Sequence, residues 1–209
     1  MTAPAVADSA SDRALIDAAG RGDAVAVRRL LAEGASVQAR DGQGRTSLLA
    51  ATQAVTGVGT EAAQLLIAAG ADVNAKDRID DTPYLYAAAE GRNDILRMTL
   101  AAGADLKSVN RYGGTGLIPA AHHGHLETVR ILLGTAIDKN HVNNLGWTAL
   151  LEAIVLGDGG RTHTEIVGAL VQAGADVTIA DREGVTPLAH ARRRGYGEIA
   201  AILQTAGAR

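Results

Sequence analysis

"DRIDDTPYL", residues 77–85, decides the fold because the chain repeats it. The same phrase returns as "DGQGRTSLL" from Asp41, "NRYGGTGLI" from Asn110, "NNLGWTALL" from Asn143 and "DREGVTPLA" from Asp181. A second phrase keeps step with it: "EGASVQAR" from Glu33, "AGADVNAK" from Ala69, "AGADLKSV" from Ala102, "TAIDKNHV" from Thr135 and "AGADVTIA" from Ala173. Self-similarity at a period in the thirties marks stacked supersecondary units, none of which buries its apolar face alone. Asp or Asn closely followed by Gly suits a tight turn that needs positive φ. The Thr that follows can cap a helix, and Pro in that helix's first turn loses no hydrogen bond. "LAATQA", "YAAAEG" and "IPAAHH" then read as short first helices, and "AQLLIAAG", "VRILLG" and "VGALVQAG" as second helices with paired aliphatics, closed at Gly70, Gly103 and Gly174.

These phrases resemble the ankyrin repeat, whose pattern joins a D-x-x-G-x-T-P-L turn to A-A-x-x-G-H and then to L-L-x-x-G-A-D-V-N-A. The resemblance covers residues 12–209, beginning with a half-repeat, "ALIDAAGRGDAVAVRRLLAEGASV", that lacks the opening turn. It implies an all-α solenoid of helix-turn-helix units with protruding β-hairpin turns. We expect residues 1–11 to form a flexible N-terminus and residues 12–209 a single domain with repeats at 12–40, 41–76, 77–109, 110–142, 143–180 and 181–209.

Departures from the phrase carry most of the individual information. Ala136 stands where a capping Gly is expected, Lys139 where a buried Val is, and Thr99 where a Leu is. If Ala136 is held at positive φ, replacing it by Gly should stabilise the chain. "VTGVGT" (55–60) and "LGDGGRTHT" (156–164) lengthen two repeats between their helices, and insertions in solenoids map to loops on one face.

Composition excludes several classes. No Phe is present, and Trp147 with Tyr84, Tyr86, Tyr112 and Tyr196 make up the aromatics, so Ala, Leu, Val and Ile must fill the core. A net charge of −3 gives no footprint for nucleic acid or anionic lipid. Arg192, Arg193 and Arg194 read as cations at a helix C-terminus. Without cysteine there is neither disulfide nor thiolate chemistry. Three Lys among twenty basic residues, with much Ala and Gly, suggest a high-GC bacterial gene. The N-terminus shows neither an apolar signal core nor a membrane span. We therefore expect a cytoplasmic chain, or a periplasmic one should a leader have been removed.

Three histidines crowd "AAHHGHLETV": His122, His123 and His125. The resemblance makes His125 the structural His of the G-H phrase, and puts His122 and His123 at variable positions lining the concave contact surface. For a metal, His122 and His123 diverge on a helix, and further ligands would have to come from Glu90, His141, Glu152 or His163. No cofactor or metal is expected. No nucleophile elbow, P-loop, dinucleotide fingerprint or H-E-x-x-H motif is present, so no enzyme activity is expected.

The resemblance implies binding of a partner protein by a monomer, through the groove formed by turn tips and first helices. The candidate contact residues are Arg78, Ile79, Asp81, Glu90, Arg111, Tyr112, His122, His123, Asn144, Leu145, Trp147 and Glu152. Tyr112 and Trp147 are the aromatic anchors among them, Trp147 being expected on an exposed turn tip. The alternative is a small-molecule or catalytic pocket over repeats 3–5, holding His122, His123, Glu152 and Trp147 beside the 157–164 loop. The resemblance associates some small bacterial proteins of this kind with peroxide stress.

Overall fold

A computed structural model describes residues 10–55 and 57–209. The structure is helical, with twelve helices and no strand among the described residues. The first helices are α1 (Ala10–Gly20), α3 (Ser47–Gln53), α5 (Pro83–Ala89), α7 (Leu117–His122), α9 (Ala149–Val155) and α11 (Pro187–Arg193). The second helices are α2 (Ala24–Ala32), α4 (Thr60–Ala68), α6 (Asn93–Ala101), α8 (Leu126–Leu133), α10 (Arg161–Gln172) and α12 (Gly197–Thr205). Ala10 and Ser11, read from the sequence as part of the N-terminal segment, open α1; the rest of that segment, residues 1–9, and Thr56 of the first insertion lie outside the described residues.

The chain forms two compact units: the described residues up to Ala87 with Arg92–Asp105, and Ala88–Gly91 with Leu106–Arg209. In the first unit α1 packs on α3, α2 on α4 and α4 on α6. In the second, α7 packs on α9 and α9 on α11, while α8 packs on α10 and α10 on α12. Each unit is therefore two helical layers, first helices on first and second on second. Ala50, Ala51, Ala120, Ala153 and Ala191 are buried on first helices that pack on one another, with Leu48, Leu66, Leu132, Leu150, Leu170 and Leu188 also in the core. Tyr84 replaces the Leu of that register; it is fully buried and its hydroxyl meets no partner among the described residues. Burial, helped by the nearby Asp105, raises its pKa.

The turns have one recurring design. The amide of the Asx residue donates to the carbonyl four residues on at Asp41, Asp77, Asn110, Asn143 and Asp181, and the fourth residue of the turn donates back to the Asx carbonyl. The Asx side chain then accepts the amides of the third and fifth residues; Asn143 Oδ1 takes those of Leu145 and Trp147 at 2.9 and 3.0 Å. Such a closed five-residue loop leaves no room for a ladder, so the expected β-hairpins contain no strand. The fourth residue holds positive φ: Gly44, Gly113, Gly146 and Gly184, but Asp80 in the second turn, with φ 65°. Glycine there also leaves space for the next turn: a Cβ on Gly113 would meet the Asn144 side chain at 2.5 Å, and one on Gly146 would meet Arg182 at 2.5 Å.

Thr46, Thr82, Thr148 and Thr186 cap their helices by accepting the amide three residues on. Thr115 does not: α7 starts two residues later behind Gly116, and the buried Thr115 hydroxyl has no partner among the described residues. The end of α8 corrects a second expectation. Ala136 does not take positive φ. Gly134 closes the helix in right-handed geometry, and Thr135 takes over the cap, its hydroxyl donating to Leu132 O at 2.6 Å and accepting from Ile137 N at 3.3 Å. Ile137 is buried where other repeats have Ala71 or Ala175, so the half-buried Lys139 need not fill the core as Val73 and Val177 do. Thr99 is fully buried, its hydroxyl donating to Leu96 O at 2.9 Å.

Candidate functional site

In the second unit, consecutive turns at 110–114 and 143–147 stack edge to edge: Asn144 N donates to Tyr112 O at 2.9 Å. The third residue of each loop, held out by the Asx bonds, points to solvent. Tyr112 is 52 % and Leu145 49 % exposed, and Ile79, in the same register of the first unit, is 49 % exposed. Their flanks Arg78, Arg111 and Asn144 are exposed too, and the Arg111 guanidinium lies 4.7 Å from the centroid of the Tyr112 ring. Two neighbours expected on the surface are not fully there. Asp81 and Trp147 are the fifth residues of their loops, which close the turn at its base, and both are half-buried. Trp147 is thus a foot of the turn and not its tip.

Glu152 is the larger correction. Its side chain lies on α9 and is 7 % exposed, so it offers nothing directly to an approaching surface. Instead Asn143 Nδ2 donates to Glu152 Oε1 at 2.8 Å. The carboxyl thereby fixes the amide that organises the whole turn under Leu145. The same register carries His190, whose Nε2 meets Asp181 Oδ2 at 2.6 Å. The turns at 143–147 and 181–185 are thus both braced from their first helices, whereas the 110–114 turn has Pro119 in that register. Burial pushes the Glu152 carboxyl up to about 7, against the Asn143 hydrogen bond and the positive field of His123, which pull the other way.

His122 continues the chain from turn to helix end, its Nδ1 lying 3.6 Å from Glu152 Oε2. Burial first, then His123 and His163, hold the His122 pKa below its usual value. The His122 and His123 rings are tilted at 4.6 Å, and the exposed His123 donates from Nδ1 to Ala89 O at 2.7 Å. Glu90 beside it is exposed.

His125 serves the fold. It is the N-cap residue of α8, and its ring fills the space over Gly91, where a Cβ would come within 2.8 Å of Nδ1. In the fifth repeat that duty passes to His163, displaced by the insertion: its Nε2 donates to His122 O at 3.0 Å, and Nδ1 meets Asp158 Oδ1 at 2.9 Å. Residues 161–164, expected in the inserted loop, form the first turn of α10, so the loop proper is only 157–160. His141 donates from Nε2 to Gly113 O at 2.7 Å. His123, His141 and His163 spend ring nitrogens on carbonyls or a carboxylate, and among the described residues no group of three His, Asp or Glu could hold a metal ion.

Residues outside the expected set belong to the same face. Arg182, at the second position of the last turn, lies across Gly146 and donates to Asn144 O. Arg193 and Arg194 stand at the α11 positions that His122 and His123 hold in their own repeat; both are exposed, and among the described residues neither meets a carboxylate. Leu156, in that register of the repeat between, is 42 % exposed. The repeat alignment alone could have found all four.

A family model for ankyrin repeats in three copies matches residues 84–181. The chain is 43 % identical over 192 residues to the putative ankyrin repeat protein YahD of Escherichia coli K12, covering 91 % of this chain and 94 % of that one. Among solved structures it is similar to an ankyrin repeat domain from Acinetobacter baumannii, with 55 % identity, a TM-score of 0.89 and coverage of 93 % and 98 %. It is also similar to the ankyrin repeat domain of Bcl-3, described as a member of the IkappaB family, with 27 % identity, a TM-score of 0.81 and coverage of 94 % and 86 %. With the Asx-closed turns, the paired helices and a relative matched along nearly its whole length, the chain belongs to the ankyrin repeat family.

Proposed function

We propose that this protein acts without catalysis, binding a partner protein through its turn tips and the adjoining first helices. Ankyrin repeats are in general protein-protein interaction modules and non-enzymatic scaffolds. The observation that carries the reading here is the exposure of Tyr112 and Leu145 on two rigid, side-chain-braced loops. Exposed apolar side chains are common, but an aromatic and an aliphatic held outward on preorganised turns are what interface anchors require, since little entropy remains to be lost on docking. On the first unit Ile79, beside the exposed Arg78, is the exposed apolar residue of the same register. Among the described residues no helix is long and apolar enough to cross a membrane.

The test is capture of partners from the native cell by the purified protein beside its Tyr112→Ser, Leu145→Ser double variant. A protein held by the parent and lost by the variant, whose helical signal is unchanged, supports the reading. Partners retained equally by both would refute it.

One observation favours a second reading, the pocket. A carboxyl raised to about 7 with an imidazole 3.6 Å away is an acid-base pair. Both groups, however, are accounted for by bracing the turn. Loss of turn stability, and not of turnover of any substrate, is what their removal is expected to cause.

A further inference from the structure

Charge on the second unit is unevenly placed. Arg111 and Arg182 stand at the turn end of the proposed contact face, and Arg192, Arg193 and Arg194 at the far end of α11. All five are exposed, whereas the exposed carboxylates on the turns and first helices are Glu90 and Glu183. The unit's other acidic side chains go elsewhere. Glu127, Glu165 and Glu198 lie on second helices, Asp138 and Asp176 in the loops that follow them, Asp158 in the 157–160 loop is held by His163, and Asp181 and Glu152 are taken up in bracing turns. Three consecutive guanidiniums are more than the end of α11 needs, because a helix C-terminus gains only a fraction of a kcal/mol from a nearby cation. Arg192, Arg193 and Arg194, set side by side, repel one another, a cost that a partner's carboxylates would remove. The same turns and first-helix ends carry the exposed apolar side chains Tyr112, Leu145 and Leu156.

From this charge complementarity we infer that the partner segment is an acidic peptide in which carboxylates alternate with apolar side chains. The apolar residues lie on Tyr112, Leu145 and Leu156, and the carboxylates on Arg111 and Arg182 at one end and Arg193 and Arg194 at the other. A nucleic acid fits the same cations less well. Two of the three apolar contacts are aliphatic and give no stacking platform, and Glu90 and Glu183 would face phosphates. The inference rests on the contact reading of this face and adds the chemistry of what it contacts.

The experiment selects a displayed library of random peptides on the whole purified protein, then titrates the enriched peptides by fluorescence anisotropy. The expected result is enrichment of Asp and Glu interspersed with Leu, Ile or Phe, and affinity that falls as salt rises. Kd should weaken about tenfold in Arg193→Glu, Arg194→Glu and about tenfold in Tyr112→Ser, Leu145→Ser. Neutral or basic peptides that still need Tyr112 and Leu145 would overturn the acidic assignment and leave the contact surface standing. Peptides indifferent to both variants, or no enriched peptide at all, would overturn both. An oligonucleotide bound through Arg193 and Arg194 in place of any acidic peptide would also overturn the proposal.

Discussion

Glu152→Gln should stabilise the protein above neutral pH, by progressively less as pH falls towards 4.5. The side chain is 7 % exposed and its carboxyl accepts a hydrogen bond from Asn143. Glutamine keeps that acceptor and the shape but never has to ionise. Because the folded pKa is raised from 4.5 to about 7, the folded state holds a proton that the unfolded state has released. Below pH 4.5 the two states agree and nothing is lost. As pH rises through the window from 4.5 to 7 the folded state is progressively penalised, fully so above 7. The rise corresponds to about 3 kcal/mol at full expression. The half-exposed His122 imidazole lets water and its own proton respond, so we expect about 1–2 kcal/mol to be recovered at pH 8.5. His122 works on the other flank. Its lowered pKa means that the unfolded state takes up a proton first as pH falls through about 6.5, and stability falls with it. The parent should thus be most stable in slightly acidic solution, and the variant should lose only the alkaline decline. Urea midpoints for both proteins from pH 5 to 8.5 provide the measurement. A lower midpoint for the variant at pH 8.5 would mean that Glu152 is ionised and held by a charged His122, and the bracing argument would fail.

Asp80→Gly should raise the urea midpoint, by about 0.5 kcal/mol, because Asp80 alone among the described non-glycine residues sits at positive φ and its exposed pair with Lys76 contributes little. Ala136→Gly should lower the midpoint by a similar amount, since it adds only unfolded-state freedom; a rise would show that the Thr135 cap is misassigned. Gly159→Ala should cost about 2 kcal/mol or more, visible as a lower thermal midpoint, because its φ is 69° and a Cβ would lie 2.3 Å from the Tyr196 ring. Trp147→Ala should lower the thermal midpoint, reflecting about 1–2 kcal/mol of lost burial; an unchanged midpoint with weakened partner binding would return Trp147 to the turn tip.

Much of the site was legible in the repeat register. Tyr112, Leu145 and Ile79 share one position in the phrase, and the turn there can only point outward, so their exposure followed from alignment with the Asx-closed loop. Trp147 failed by the same logic applied two residues further on. Its rarity in the sequence suggests an exposed anchor, whereas the fifth position closes the loop on Asn143 and the side chain is half-buried. His163 looked like loop decoration or a ligand. Only the path of the insertion brings it over Gly124 to fill the place that His125 fills over Gly91.

The sequence by itself determined the helical repeat, the turn chemistry and the layer to which each helix belongs. Those depend on residues a few positions apart, and spacing along the chain reports them directly. What only the tertiary structure decided was the state of each polar side chain. Glu152 is nine residues from Asn143 and thirty from His122 along the chain. Whether it is a solvated contact or a buried brace depends on how closely α7 and α9 approach. That distance is set by the alanines between the helices, and no single repeat contains both sides of it.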